Sequence, residues 1–395
     1  MEQNSNFQSV SLEEYAPQMW ACVHCFCGMC IHYCPAYNQV KNEIIGLRGL
    51  AQVGVAVLND ELKTSDLSDE VIYACTGCGY CESACSQNQP LYIQEHGTRK
   101  TIISGATITE CLRAIRAENG KIPEVLKDTL DNIGRVGNPY GLSKEDKDKW
   151  VEDLGCKFNG EDTLLYVGSM VPYEARSTKS AEALIEVLKK AGVRFAMLGS
   201  AESDSAALAR YMGEEGLFEE QIEDNSKLIK ENGVKQIICL SPHDYDVFLN
   251  YYELDGVNVR HYTEVILELI KDGKIKLNKK VNKKVTYQDP CYLGRRNNIY
   301  DPPREILKGI PGLELIEMDQ SKDLAYCCGG GGTGLWYELP RIHMNHTRVD
   351  HAKEKDPDCL VVACPACLQM LDDGVKSRNY DFQVNDLAQI VLEAF

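Results

Sequence analysis

The sequence of 395 residues lacks several features that would assign it to a common class. No stretch approaches 18 consecutive apolar residues, so no transmembrane helix is predicted. Residues 1–12 contain neither a basic nor an apolar segment, so no secretory signal is expected. The chain has fewer basic than acidic residues: 42 Lys and Arg and 59 Asp and Glu give a net charge of −17. Nucleic acid is therefore not an expected partner.

Cysteine, in contrast, is abundant, with 18 residues in the chain. Disulfide scaffolds are short and secreted, whereas this chain is long and groups its cysteines at metal-ligand spacings. Metal binding in a reducing cytoplasm is therefore the favoured interpretation, with attachment to the cytoplasmic membrane face only through a partner. Apolar residues make up 44% and charged residues 26%, which is ordinary for a soluble protein of two to three domains.

The periodicity of apolar residues predicts an α/β fold after an N-terminal helical region. Strand-like and helix-like segments alternate from residue 163 onward, which is typical of parallel sheets with crossover helices. The predicted strands are 163–167, 194–198, 236–240, 285–288, 313–318 and 359–363. The predicted helices are 44–58, 62–74, 109–117, 180–191, 218–232, 340–355 and one that begins at 304.

The C-terminal two thirds resembles two copies of one α/β unit. Segment 236–245 aligns with 359–368, and segment 164–173 aligns with 284–293. Cysteines of the second copy are replaced in the first, where Ser169, Ser241 and Asp244 stand at the matching positions, and the stretch 200–205 is rich in serine. A lysine-rich segment, 271–284, joins the copies and is interpreted as a solvated linker.

The most regular motif has cysteines separated by two, two and three residues: Cys75, Cys78, Cys81 and Cys85. This spacing is typical of a cubane [4Fe-4S] site, in which three cysteines bind one cluster and the fourth binds a second cluster. Gly77 and Gly79 would let backbone N–H groups approach the sulfur atoms. A zinc site is disfavoured because zinc uses separated cysteine pairs.

The preceding motif, CVHCFCGMCIHYCP at 22–35, is less regular. Counting forward gives Cys22, Cys25, Cys30 and Cys34, with Phe26–Cys27 as an insertion; counting back from Pro35 gives Cys30, Cys27 and His24. We favour the first count. The exchange of fourth ligands then assigns Cys85 to the first cubane and Cys34 to the second.

A third constellation comprises Cys291, a Cys327–Cys328–Gly329 core that begins after 35 intervening residues, and Cys364 and Cys367, with 35 residues between Cys328 and Cys364. Vicinal cysteines can bridge different irons of an open cluster, and the glycines that follow can wrap around it. These glycines also match a dinucleotide motif, which we discount because cysteines occupy the place of its strand. Sites in open α/β sheets form at the carboxyl ends of strands, where these cysteines are expected.

This spacing resembles the CCG domain of heterodisulfide reductase catalytic subunits, including the D subunit and related iron–sulfur subunits. The resemblance covers nearly the whole chain and implies one noncubane [4Fe-4S] cluster, because the first copy has lost its cysteines. Its implied ligands, which are also the candidate catalytic residues, are Cys291, Cys327, Cys328, Cys364 and Cys367. The predicted domains are a two-cluster ferredoxin-like domain (1–105), a connector (106–150), a degenerate CCG unit (151–275) and a cluster-binding CCG unit (276–395).

The resemblance implies an electron-transfer subunit of a larger redox complex. Electrons would pass through two cubanes to the noncubane cluster, which would reduce a disulfide. The alternative is a relay to a flavoprotein, quinone or tungsten-enzyme partner. Other expected partners are a membrane cytochrome or a further iron–sulfur subunit. Packing is the expected role of the remaining buried thiols, and a surface role that of the two histidines after the third motif: Cys111, Cys156, Cys239 and Cys359; His343 and His346.

Overall fold

The computed structural model of the chain describes residues 11–88 and 102–395. It divides into two compact units, each assembled from separate stretches of chain. Unit 1 comprises Met1–Leu130, Leu208–Glu220 and Gly331–Ile342, and unit 2 comprises Asp131–Ala207, Gln221–Gly330 and His343–Phe395. Among the described residues, no helix has both the length and the apolarity needed to cross a bilayer.

Helices are the only regular secondary structure in the described part of unit 1. Its main helices are α1 Ala16–Cys25, α2 Met29–Tyr33, α3 Pro35–Val40, α4 Leu47–Leu58, α5 Asp69–Tyr73, α6 Tyr80–Ser83 and α7 Gly105–Glu118. Helix α8, Glu124–Val136, follows and crosses the boundary into unit 2. Helix α4 packs on both α1 and α7, and Gly54 allows the close approach of Met19 because a Cβ at that position would overlap the Met19 sulfur.

Two later stretches of chain complete unit 1 by binding to its helices. The guanidinium of Arg113, on α7, donates to the carbonyls of Tyr211 at 2.7 Å and Cys75 at 2.7 Å. The hydroxyl of Thr333 donates to the carbonyl of Tyr73 at 3.2 Å. Helix α7 thus binds the stretch 208–220. The loop around Thr333 binds the segment that leads into the cysteine motif at 75–85.

Unit 2 alternates strands and helices. After α9 Lys144–Asp153, its elements are β1 Thr163–Tyr166, α10 Ala175–Lys190, α11 Ala207–Met212, α12 Glu215–Glu231, β2 Gln236–Cys239, α13 Pro242–Asn250, β3 Asn258–His261, α14 Tyr262–Lys271, β4 Lys284–Tyr287, α15 Asp301–Lys308, β5 Glu314–Leu315, α16 Met344–Lys353, β6 Cys359–Val362, α17 Pro365–Ser377, β7 Gln383–Asp386 and α18 Leu387–Ala394. Most of α11 and the start of α12 lie in the 208–220 stretch of unit 1.

The strands form two parallel sheets, with orders β1-β2-β3 and β5-β4-β6-β7. The prediction of a mixed fold with parallel sheets is therefore confirmed. One buried apolar core spans both sheets and includes Leu165, Ile238, Val285 and Val361. Tyr262 adds a polar link between the sheet regions by donating to the carboxylate of Asp386 at 2.9 Å.

The predicted strands agree with the structure where the sequence is apolar. Two predicted strands are shorter than expected: residues 194–198 form only isolated bridges, at Ala196 and Met197, and the predicted strand 313–318 shrinks to β5. Strands β3 and β7 were not predicted, because Asn-Val-Arg-His and Gln-Val-Asn-Asp contain no apolar run. Both lie at the edge of their sheet, where polar side chains are tolerated.

Candidate iron–sulfur centres

The first thiol cluster lines a cavity in unit 1 that is partly open to solvent. Its five cysteines are Cys22, Cys25, Cys27, Cys30 and Cys85, and the other lining residues are Gly28, Leu47, Arg48, Gln87 and Ile103. Burial raises the pKa of Cys22 to about 12, and the nearby thiols of Cys30 and Cys85 contribute to this rise. Thiols that are close together and partly buried are costly to ionise alone, and a metal cation that binds their thiolates removes this cost.

The second thiol cluster comprises Cys34, Cys75, Cys78 and Cys81. Burial raises the pKa of Cys34 to about 12, and the neighbouring charges of Cys75 and Cys78 act in the same direction. Burial also raises the pKa of Cys81, with Glu82, Cys34 and Cys78 adding to the effect. The structure therefore brings Cys34 to the cysteines of the second motif, and Cys85 to those of the first.

Glycines leave room around the second thiol cluster. A Cβ on Gly105, the first residue of α7, would lie 3.2 Å from the sulfur of Cys81. The N–H of Gly77 donates to the sulfur of Cys75 at 3.5 Å. Ser104, the N-cap of α7, donates to Glu82 at 2.5 Å and so holds the start of this helix against the cysteine loop. Backbone N–H groups aimed at thiolates and space beside them fit an iron–sulfur cluster.

The third thiol cluster lies in unit 2, where strand β6 ends and α17 begins. Cys364 is the N-cap of α17, and Cys367 lies in the first turn of that helix. The sulfur of Cys367 is 3.3 Å from that of Cys328. Hydrogen bonds from Cys327 and Cys367 lower the pKa of Cys328, against the effect of burial. Cys328 can therefore supply a thiolate at neutral pH, whereas hydrogen bonds to Cys328 and Cys364 raise the pKa of Cys367.

The Cys-Cys-Gly turn supplies backbone donors to this cluster. The N–H of Gly329 donates to Cys327 at 3.3 Å, and the N–H of Gly330 donates to Cys328 at 3.4 Å. A Cβ on Gly330 would lie 2.9 Å from the side chain of Met370, so glycine is required there by packing. The all-thiol donor set with N–H donors fits an iron–sulfur cluster, as in the second thiol cluster.

The fifth predicted ligand, Cys291, is buried and lies four residues after β4. Its neighbour Tyr292 packs on the ring of His243, with centroids 4.1 Å apart. His243 in turn hydrogen-bonds to Cys364. The residue that follows Cys291 is thus linked to the third thiol cluster through His243, and the role of Cys291 as a ligand stays a prediction.

Sequence reasoning missed His243. Ser241, at the position of a lost ligand, caps α13 by accepting from the N–H of His243 at 3.2 Å. Burial acts to lower the pKa of His243, but its hydrogen bond to Cys364 and the charges of Cys364 and Asp244 outweigh burial and raise it. Burial acts to raise the pKa of Cys364, but hydrogen bonds from Cys367 and His243 overcome it and lower this pKa to about 6. The sequence contained one signal: when segment 236–245 is aligned with 359–368, His243 falls on Ala366, next to the position of Cys367.

Residues of the predicted first copy that stand in place of cysteines take part in hydrogen bonds of their own. Ser169 donates to Asp204 at 2.5 Å, and Ser205 donates to Asp244 at 2.6 Å. Burial raises the pKa of Asp244 to about 7, and the charge of Asp204 contributes. Hydroxyl and carboxylate groups that hydrogen-bond to one another stand here in place of thiols, and such oxygen ligands do not suit a second noncubane cluster.

The remaining sequence-predicted residues lie outside the three thiol clusters. His343 and His346 stack on each other with centroids 5.1 Å apart and are half-buried. The remaining cysteines, which were expected to pack, are all buried: Cys111, Cys156, Cys239 and Cys359.

Comparison with known families identifies two domains in the chain. The family described as "4Fe-4S dicluster domain" matches residues 18–89, and the family described as "Cysteine-rich domain", abbreviated CCG, matches residues 285–372. The first match includes every residue of the first two thiol clusters, and the second includes every residue of the third. The predicted presence of both kinds of iron–sulfur domain is therefore confirmed.

Curated relatives resemble the chain over most of its length. It is 36% identical over 377 residues to the probable iron–sulfur-binding oxidoreductase FadF of Bacillus subtilis, covering 90% of this chain and 52% of FadF. It is 30% identical over 422 residues to EtfAB:quinone oxidoreductase of Syntrophomonas wolfei, covering 93% and 57%. It is 29% identical over 397 residues to the D subunit of the dihydromethanophenazine:CoB–CoM heterodisulfide reductase of Methanosarcina mazei, covering 93% and 92%.

The predicted resemblance to the D subunit of heterodisulfide reductase and to related iron–sulfur oxidoreductases is thus confirmed. The chain spans only a little over half the length of the first two relatives.

Proposed function

We propose that the chain is an electron-transfer subunit of a multi-subunit redox complex with three iron–sulfur clusters, about twelve irons in all. The observation that carries this proposal is the grouping of twelve of the 13 predicted ligand cysteines, all except Cys291, into three sets of neighbouring thiols. The first cubane would be held within the first thiol cluster, for which the sequence predicts Cys22, Cys25, Cys30 and Cys85. The second would be held by Cys34, Cys75, Cys78 and Cys81.

The noncubane cluster would be held by Cys291, Cys327, Cys328, Cys364 and Cys367. When bound, the three clusters supply one-electron transfer at successive sites. The residues of the chain hold the sulfur ligands, donate N–H groups to them and exclude water by burial. His243 adds a side-chain hydrogen bond at Cys364.

The glycine-rich run that follows Cys328 leads from unit 2 into unit 1. Only residues 329–331 separate Cys328 from Gly332 in the sequence. Within unit 1, Gly332 packs so tightly on the cysteine motif that a Cβ would lie 2.7 Å from the carbonyl oxygen of Cys75.

We propose disulfide reduction as the terminal reaction, in which a disulfide takes up two electrons and two protons and yields two thiols. This part of the proposal rests on the resemblance to the D subunit of heterodisulfide reductase. The second candidate is a pure relay to a flavoprotein, quinone or tungsten-enzyme partner. It is favoured by the serines and aspartates of the first copy, because their oxygen atoms occupy the place of a second noncubane site.

The finer architecture is also a proposal. We propose that the two sheets of unit 2 belong to two repeats of one unit, a degenerate one at 151–275 and a cluster-binding one at 276–395. They would follow a ferredoxin-like domain at 1–105 and a connector at 106–150. The parallel sheets and the capping of α13 and α17 at matching positions, Ser241 and Cys364, support this division.

Anaerobic purification of the full chain tests the proposal directly. We expect about twelve irons per chain and electron paramagnetic resonance (EPR) signals from two cubanes and one further cluster. The reduced protein is then mixed with a disulfide. Oxidation of the clusters with release of two thiols per disulfide supports reductase activity, whereas oxidation only by a flavoprotein or quinone supports the relay. Stoichiometric zinc with little iron would refute both.

A further inference from the structure

The backbone around Cys27 has an unusual conformation for its sequence. Phe26 adopts the left-handed region with φ of +54°, and Gly28 follows with φ of +64°. A bulky aromatic residue is rarely found in this region, because its Cβ crowds the backbone. Such local strain collects at functional sites, where the surrounding structure imposes it. We therefore look for the cause of the backbone strain at Phe26 in the arrangement of the first thiol cluster.

The regular cysteine motif provides that reason, because its backbone follows the same course. Gly77 and Gly79 have φ of +65° and +71°, and Cys78 lies between them as Cys27 lies between Phe26 and Gly28. Gly28 and Gly79 are N-caps of α2 and α6, whose second residues are Cys30 and Cys81. The N–H three residues after each glycine donates to its carbonyl, at 3.1 Å and 3.0 Å.

This equivalence matches Cys27 with Cys78 and Cys30 with Cys81. It also matches Cys25 with Thr76, which has no thiol, and His24 with Cys75. His24 does not line the cavity of the first thiol cluster; its ring stacks on Trp20 and its Nδ1 bonds to the Trp20 carbonyl at 2.8 Å.

Since His24 points elsewhere, Cys22 is the candidate for the remaining ligand position. It lies on α1, less than one helical turn before His24. Cys22 lines the cavity, and the thiols that contribute to its raised pKa are those of Cys30, Cys85, Cys25 and Cys27. The thiols of Cys85 and Cys27 likewise act to raise the pKa of Cys30, and those of Cys27 and Cys25 act on Cys85. All five thiols are therefore neighbours, and the backbone match of Cys27 with Cys78 is what distinguishes Cys27 from Cys25. Cys25 lies beside Cys27 and hydrogen-bonds to it.

We propose that Cys22, Cys27, Cys30 and Cys85 bind the first cubane, and that Cys25 is a spare thiol that hydrogen-bonds to the ligand sulfur of Cys27. This assignment rests on the proposed presence of a first cubane, and it departs from the forward count of the sequence. The two residues inserted before Gly28 are then Cys25 and Phe26 rather than Phe26 and Cys27.

Alkylation of the iron-loaded full chain tests the assignment without any activity measurement. Cys27 is exposed and Cys25 is half-buried, so exposure alone predicts faster reaction at Cys27. Ligation reverses this order. With iodoacetamide and peptide mass spectrometry, we expect modification of Cys25 and protection of Cys27 in the loaded protein, and modification of Cys27 after the iron is removed by a chelator.

Matched variants provide the second measurement. Cys25→Ala is expected to retain about twelve irons and both cubane EPR signals, whereas Cys27→Ala combined with Cys25→Ala, which prevents substitution by the spare thiol, is expected to lose about one to four irons. Protection of Cys25 with reaction of Cys27, or loss of iron from Cys25→Ala alone, would overturn the assignment. A wild-type chain with only two clusters would instead refute the proposed first cubane.

Discussion

His243 hydrogen-bonds to Cys364, although the two residues are about 120 positions apart in the sequence. His243 lies on α13, which follows strand β2 of the three-stranded sheet, and Cys364 follows strand β6 of the four-stranded sheet. The region around the three-stranded sheet thus contributes a side chain to the surroundings of the third thiol cluster, and Ser241 caps the helix that carries it.

The first prediction concerns this hydrogen bond. An N–H donor at a ligand sulfur stabilises the reduced, more negative state of a cluster. His243→Phe is therefore expected to shift the midpoint potential of the noncubane cluster to a more negative value, as measured by redox titration with EPR detection. His243→Gln keeps an N–H donor and should shift it less. Equal potentials in the wild type and in His243→Phe would contradict this role.

The second prediction concerns the independence of the clusters. Cys328→Ala removes one thiol from the third thiol cluster and should leave about eight irons, with both cubanes still reducible. Cys359→Ala is the matched control, because Cys359 is also a buried cysteine of unit 2 but belongs to no thiol cluster; it should keep about twelve. If the noncubane cluster reduces disulfides, that activity disappears in Cys328→Ala. Loss of all iron would show that the clusters assemble interdependently.

The third prediction concerns Gly332. Gly332 and Gly120 both have positive φ, +58° and +66°, so alanine strains the backbone similarly at each, by about 1 kcal/mol. Only at Gly332 would the new Cβ meet other atoms, at 2.7 Å from the Cys75 carbonyl. Gly332→Ala should therefore lower the melting temperature more than Gly120→Ala and release iron from the second cubane. Equal melting temperatures and iron contents would refute this contact.

The fourth prediction is a pH dependence. Burial raises the pKa of Asp244 from 3.8 to about 7; Asp204 and Glu202 contribute to the rise, while Ser205 and His243 oppose it. The charge of Asp244 in turn contributes to the raised pKa values of Tyr166, Cys239 and Tyr252. Because the folded state holds this proton more tightly than the unfolded state, stability is lost as the pH rises from about 4 to 7.

Asp244→Asn removes this loss. Its free energy of unfolding should exceed that of the wild type by on the order of 2 kcal/mol at pH 8, and by little near pH 4. Denaturant titration under anaerobic conditions measures the difference. Iron content should stay at about twelve, because Asp244 belongs to no thiol cluster. A difference that does not depend on pH, or a loss of about four irons, would contradict the placement of Asp244.

The sequence was sufficient to predict the features that depend on local spacing. The cysteine motif at 75–85 and the Cys-Cys-Gly core identify the iron–sulfur domains, because ligand spacing is a local property of the chain. The exchange of Cys34 and Cys85 between motifs follows from a general rule for two-cluster domains, and the structure places both thiols accordingly. Their identity as ligands remains a prediction.

Features that depend on distant contacts could not be predicted. Nothing in the local sequence of His243 indicates Cys364. Edge strands such as β3 lack the apolar signal that identifies β2, because one side of an edge strand has no neighbour. The left-handed backbone of Phe26 is likewise invisible in the sequence, since that conformation is normally associated with glycine.

The stretch Gly331–Ile342, which completes unit 1, has a consequence for biosynthesis. It is translated about 200 residues after Leu130, which at about 5–20 residues per second corresponds to a delay of about 10–40 s. Until then the carbonyl of Tyr73 lacks the Thr333 hydroxyl, and the loop at Cys75 lacks the cover of Gly332. During that interval the second cysteine loop of the nascent chain is therefore accessible on the side that the late segment covers in the folded protein.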